Sequence, residues 1–365
     1  MGLGIVIQVN GIADAELTQA SRVEVYERLG ETTWFNIRYQ EDIRDGDMIL
    51  SGDSRLSPGS VFSILADTGS DMECLVKGPV CSQQIHLEHG GEGSWLELRG
   101  ADTSITMDRE FKSELWSNVT DGETVMNILS KYNLLPEVAS TKTRHLETKH
   151  SLVQRETDLR LVRRLARRNG CHFWITCDEF GIEKGHFQRP ELNGTPAADL
   201  LINVETPNIS ALDISWDVER PTSIDGTQID LSTKSDINGT LARTPQTALG
   251  TNNLQAITGD TRSMYLATPS DDAGNMQSRA EGALMEADWF IRATCSTSLH
   301  RLGKLLRAHT VVQVSGAGSR HSGKYYVAAV RHIIDATAHI MELELIRNAW
   351  NEGADNVQGL AARIF

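Results

Sequence analysis

The stretch Leu152–Ile175, LVQRETDLRLVRRLARRNGCHFWI, limits the fold more than any other part of the chain. Leu159, Val162, Leu165 and Ala166 recur at helical spacing and share one face, and Leu161 widens it by pairing with Leu165. Arg160, Arg163, Arg164, Arg167 and Arg168 fall on the other side. Thr157 is suited to cap the N-terminus, with Glu156 and Asp158 adding negative charge there. Arg167 and Arg168 place positive charge at the C-terminus, and Gly170 can take the left-handed stop. CHFWI then reads as a strand. The pattern predicts a short extended entry, an amphipathic helix, a glycine stop and an aromatic strand. On physical grounds alone the arginines are solvated or paired to acids. A basic helix can also meet phosphate or an acidic partner surface.

The chain has 365 residues, enough for two or three domains. With 40% hydrophobic residues and only 9 prolines, most of it should fold. A formal charge of −14 argues against a dedicated nucleic-acid binder, which needs basic surface to release counterions. It suits a passage that repels nucleic acid better than a site that holds it. MGLGIVIQVN lacks a basic segment and a long apolar run, so no signal peptide is expected. Val6 stands where a myristoylation motif after Gly2 needs Ser or Thr. No apolar run has the length of a membrane span. Five cysteines, Cys74, Cys81, Cys171, Cys177 and Cys295, with no C-x-x-C, suggest buried thiols in a reducing compartment.

Residues 1–102 read as β-rich. Short apolar runs at Gly4–Val9, Arg22–Tyr26, Phe35–Tyr39, Ser60–Leu65 and Glu73–Val80 alternate with turn signals at Asn10-Gly11, Asp45-Gly46, Ser51-Gly52-Asp53 and Ser57-Pro58-Gly59. Gln84–Leu87 and Ser94–Gly100 would complete a closed barrel or sandwich. Residues 103–200 read as α+β. Thr120–Leu134 is a helix capped by Thr120 or Asp121 and ending at Tyr132-Asn133, followed by Leu152–Ile175 and a strand at Gly181–Phe187. Strands return from about residue 201, with Ile214 and Trp216 on one face of Ile209–Val218. The polar stretch 219–276 admits hairpins or a long loop. Ser278–Thr294 reads as a helix with Ala280, Ala283, Leu284, Ala287 and Ile291 on one face. Thr310–Val314, Lys324–Ile333 and His339–Arg347 read as strands, with a Ser322-Gly323 turn.

Two groups of residues resemble the baseplate hub family of contractile tails. That family holds the phage late control protein D, the hub of large myophages and the hub portion of the type VI secretion spike protein. The first group is Gln154, Glu156, Thr157, Asp158, Leu159, Leu161, Arg164, Leu165, Ala166 and Gly170, with leucines where the family usually carries an aromatic. The second, in order, is Gly303, Val312, Ser322, Gly323, Tyr325 or Tyr326, Val327, Val330, His332, Leu343, Leu345 and Arg347. The resemblance implies a mainly β chain with an α+β insertion and two tube-like β-barrel domains related by pseudo-symmetry. The barrels would span 1–102 and 201–348, the insertion 103–200, and a tail 349–365. It further implies a structural homotrimer joining the first hexameric ring of tail tube protein to a trimeric central spike around a channel. Tape measure and baseplate wedge proteins are further implied partners, with no membrane, no cofactor, and a place in the virion tail baseplate or an injection particle assembled in the bacterial cytoplasm. Three copies of a chain with two similar barrels give six barrels in a ring, which reconciles threefold with sixfold geometry. No repeat follows residue 348, so the spike would be a separate protein.

Competing sites are weaker. Gly318-x-x-x-x-Gly323-Lys324 nearly spells a phosphate-binding loop, but Tyr325 replaces the magnesium-holding hydroxyl and a strand follows instead of a helix. His86-x-x-His89 and His145-x-x-x-x-His150 lack zinc-site spacing and read as solvated loop histidines. His332 reads as a packed or interface histidine, without a nucleophile elbow beside it. No enzyme is expected. The sharpest alternative is a tail-associated lysozyme or peptidase using two of the 49 carboxylates. Arg160, Arg163, Arg167 and Arg168 are the candidate interface, expected to contact acidic groups within the chain or on a neighbour.

Overall fold

The computed structural model describes residues 4–41, 48–69, 71–89, 91–148, 151–230, 234–266 and 273–352. The Asp45-Gly46 turn, Gly2, His150 and the tail beyond Glu352 lie outside the described residues. The chain is mainly β and divides into two compact units. One comprises Met1–Pro190, Ser298–Ala308 and Ala329–Glu342, and the other comprises Glu191–Thr297, His309–Ala328 and Leu343–Phe365.

In the first unit, antiparallel strands follow the order Arg22–Arg28, Trp34–Gln40, Trp95–Ala101, Met72–His86, Val61–Asp67 and Ile5–Val9. The residues Ala329–Asp335 pair with Arg22–Arg28. Alternation sets the faces. Val23 and Val25 point inward from Arg22–Arg28, and Ile37 pairs with both Val23 and Leu98. Phe35 seats its ring against Gly100, where a Cβ would lie 2.0 Å from the ring edge. Asn10-Gly11 turns with positive φ at both residues, as a tight hairpin requires.

Two expected strands, Glu73–Val80 and Gln84–Leu87, are one 15-residue strand, Met72–His86. A register shift between Val80 and Ser82 bends it. Its first half pairs with Val61–Asp67 and its second half with Trp95–Ala101. The polar S-Q-Q run looked like a break because it is exposed on both faces.

The segment after residue 102 adds helix Asp121–Lys131, helix Asp158–Arg168 and three small sheets, the shortest pairing Val119–Thr120 with Arg144–His145. Phe111–Trp116 pairs antiparallel with Leu152–Thr157. His172–Cys177 pairs antiparallel with Glu183–Gln188, which also takes Leu135–Val138 in parallel. Both helix caps form as expected. Thr120 and Glu123 make a reciprocal capping box, and Thr157 accepts from the Arg160 amide. Asn133 and Gly170 take left-handed conformations at φ 57° and 64°. Leu159, Leu161, Val162 and Leu165 are buried with Val125, Ile128, Leu129, Phe173 and Phe187. Each such side chain contributes about 1.5–3 kcal/mol through removal from water.

One correction concerns the cysteines. Cys74 and Cys177 form a disulfide with Cα atoms 5.7 Å apart, joining Met72–His86 to His172–Cys177. Cys171 and Cys295 are buried free thiols and Cys81 is exposed. The 103-residue separation left no local spacing to read.

In the second unit, Leu212–Trp216 pairs with Ile291–Ser298, and Val311–Ser315 pairs with the start of Gly323–Asp335. The expected helix Ser278–Thr294 is corrected to Ala273–Ala287. Ile291 leaves its predicted helix face, because the chain turns at Asp288–Phe290 and IRATCSTS alternates buried and exposed as a strand. The stretch after residue 219 forms a hairpin of Ser223–Asp230 and Ser235–Leu241, with Ser263–Tyr265 added in parallel. Ala280 and Leu284 of the helix share a core with Ile224 there.

Candidate functional site

The residues singled out by the sequence form polar networks. The N-terminus of helix Asp158–Arg168 carries the first. Asp158 is fully buried and accepts from Lys112 Nζ, Tyr132 Oη at 2.9 Å and Gln154 Nε2 at 2.8 Å. Gln154 in turn accepts from Trp116 Nε1 at 2.9 Å. Burial pushes the Asp158 carboxyl up, but Lys112, Gln154 and Tyr132 together hold it below the ordinary range. Thr157 also donates to Asp108, and Glu156 pairs with Arg164 at 2.7 Å.

At the other end of the helix, Arg168 pairs with Asp121, the first residue of helix Asp121–Lys131. His145 lies 2.8 Å from the same carboxylate, and Asn169 Nδ2 donates to it at 2.8 Å. All four groups are buried. Burial raises the Asp121 carboxyl, while His145, Arg168 and Asn169 outweigh it and hold the group below 3.8. His145 is therefore a core histidine, which corrects its reading as a solvated loop residue. His86 is exposed at the end of its strand and stacks on Trp95. Asn169 and Lys112 were not singled out from the sequence, and Asp121 was named only as an alternative helix cap, a role that Thr120 takes. Their only signals were a first-turn acid, a helix-end asparagine and a lone lysine.

The five arginines separate. Arg168 is spent inside the fold and Arg164 on Glu156. Arg163 donates to Thr32 Oγ1 at 2.8 Å, and its partial burial depresses its basicity. Arg160 lies 3.5 Å from Asp108 but remains largely exposed. Arg167 is exposed and makes no ion pair among the described residues. The structure thus leaves Arg160 and Arg167 on the surface.

The C-terminal group converges on Arg347, which is fully buried in the second unit. Its guanidinium donates to Leu249 O at 2.9 Å, to the carbonyls of Arg320, His321 and Ser322 at 3.3–3.4 Å, and to Asn351 Oδ1 at 3.2 Å. Its Cζ lies 5.2 Å from the Tyr325 ring centroid, and Tyr325 Oη donates to His321 O at 2.9 Å. Gly323, at φ 140°, leaves room for the guanidinium, since a Cβ there would lie 2.6 Å from Nη2. Ser322, Gly323, Tyr325 and Arg347 are thus parts of one clasp. Val327 is fully buried in the same strand. The near match to a phosphate loop is a one-turn helix, Gly318–His321, between two paired strands, because Gly323-Lys324 opens a strand instead of a longer helix.

His332 belongs to the first unit. It is fully buried, and its Nδ1 lies 3.0 Å from His339 Nε2. Burial first, then the neighbouring charges, holds it well below its ordinary value. Glu27, also buried, accepts from Arg307 Nε at 2.5 Å and from the Ala308 amide, and Arg307 donates to the carbonyls of Cys74 and Leu75. Among the described residues no cluster of three or more His, Cys, Asp or Glu could hold a metal, and no helix is long and apolar enough to cross a membrane.

The architecture is a mainly β fold shared with tail proteins and a type VI secretion component. It is similar to the tail protein of Neisseria meningitidis MC58, at 15% identity and a TM-score of 0.66, over 95% of this chain and 97% of that one. It is similar to the 43 kDa tail protein of prophage MuSo2 from Shewanella oneidensis, at 14% identity and a TM-score of 0.65, over 94% and 98% of the two chains. A third similar structure is the Escherichia coli c3393 protein, described as a type VI secretion component similar to bacteriophage T4 gp27 and gp5. That match has 13% identity and a TM-score of 0.57, over 93% and 76% of the chains. No curated protein matches the sequence. Residues 3–336 match the family described as the Alg8 N-terminal domain, and the chain belongs to that family.

Proposed function

We propose that this chain is the structural baseplate hub of a contractile phage tail or a tail-derived injection particle, and not an enzyme. Three copies would join the first hexameric ring of tube protein to a trimeric spike around a central channel. The observation that carries this reading is the fold. Nearly the whole chain aligns with nearly the whole of two tail proteins, one of them from a prophage. We take residues 1–102 and 201–348 as the two barrels and 103–200 as the insertion. Arg160 and Arg167 would face acidic groups of a neighbouring subunit, and acidic side chains would line part of the channel. Tape measure and wedge proteins would contact the outside of the assembly.

The test is mass in solution followed by co-assembly. The 40.3 kDa chain should sediment as a trimer, alone or once mixed with tube and spike proteins from the same source. A cryo-EM map should show six barrels around a bore. A monomer that joins neither partner would overturn the proposal. Degradation of purified peptidoglycan by the chain alone would favour the hydrolase reading instead.

A further inference from the structure

The ribbon of Phe111–Trp116 and Leu152–Thr157 has two unlike faces. Lys112, Trp116 and Gln154 point into the network around Asp158. The opposite face carries Phe111, Leu115 and Val153, exposed at 67%, 72% and 45%. Single exposed apolar residues are ordinary. They share one face: Val153 pairs directly with Leu115, and Phe111 lies on the same face at the other end of the register. Arg155 stands between them, opposite Ser113. It is exposed and has no carboxylate within ion-pair distance among the described residues. Arg164 donates to Val153 O on one strand, whereas no other strand pairs with Phe111–Trp116 among the described residues. A two-stranded ribbon is marginal alone, and an open edge is a template for another chain.

We propose that this ribbon is a docking site for an extended segment of a partner protein, added as a third strand along Phe111–Trp116. The segment is apolar at alternate positions, to cover Phe111 and Leu115. Between them it carries an Asp or Glu that meets Arg155. Main-chain hydrogen bonds supply affinity, and the alternating side chains supply selectivity. The inner network holds the ribbon in place beforehand, so little order is lost on binding.

The experiment selects binders to the full chain from a displayed library of short random peptides. Synthetic versions are then measured on wild type, Arg155→Glu and Leu115→Asp. Both positions are exposed, so the variants should melt with the wild type; Leu115→Ser replaces the aspartate if it does not. The expected peptides alternate apolar residues around an acid and lose about tenfold affinity or more on either variant. Peptides without an acid, binding unchanged by both variants, or no specific binder at all would overturn the proposal. So would self-association abolished by Leu115→Asp, which would assign the face to a second copy of this chain.

Discussion

Arg168 Nε donates to Asp121 Oδ2 at 2.8 Å, tying the last residue of one helix to the first residue of another. The pair satisfies two helix ends at once, a carboxylate at an N-terminus and a cation at a C-terminus. Replacing Asp121 by Asn should cost about 3–5 kcal/mol, because it strands a buried guanidinium. Urea unfolding of Asp121→Asn and of Asp121→Asn with Arg168→Met checks this. The double variant should recover part of the loss, and equal losses would show that the pair is not coupled.

Arg347 is expected to resist conservative change. Lysine cannot reach Leu249 O, the three carbonyls at 320–322 and Asn351 together, so Arg347→Lys should lose about 2–3 kcal/mol. Gly323→Ala should act on the same clasp, since its Cβ displaces the guanidinium. The melting temperature of each single variant and of the pair gives the check, with losses that fall short of additive.

The crosslink between Cys74 and Cys177 closes a long loop, and its removal should cost about 2–4 kcal/mol. Denaturation with and without reductant, beside Cys74→Ser with Cys177→Ser, measures it. A chain whose midpoint ignores the reductant would contradict the crosslink.

Acid should weaken the His332–His339 contact. Burial lowers His339 from 6.5 to about 4, so between those values the unfolded chain binds the proton and the folded chain does not. Stability from this group is therefore present above pH 6.5 and is lost as pH falls towards 4, by about 2–3 kcal/mol. Asp288 runs the other way, since burial raises it to about 7. The measurement is thus the difference between wild type and His339→Gln at pH 7 and pH 4.5. A difference independent of pH would refute the assignment.

Local features were legible where one residue acts alone. Thr157, Gly170 and Asn133 announced their caps because capping depends on a few neighbours. Helix Asp158–Arg168 and strand His339–Arg347 followed from periodicity. What escaped depends on partners far along the chain. Nothing near Cys74 points to Cys177, and nothing near His145 points to Asp121. Ile291 satisfied both a helical face and a strand face, and its pairing with Trp216 decided between them. The arginines were visible as a group, but only packing separates Arg168, which is buried, from Arg167, which is not.

The guanidinium of Arg347 also has a kinetic meaning. It gathers carbonyls from segments that lie 98 and 25–27 residues away along the chain. None of those loops can open alone without breaking the others' common donor. Amide protons around residues 249, 320–322 and 351 should therefore exchange with solvent as one event, and withdrawal of a single side chain would release the three loops together.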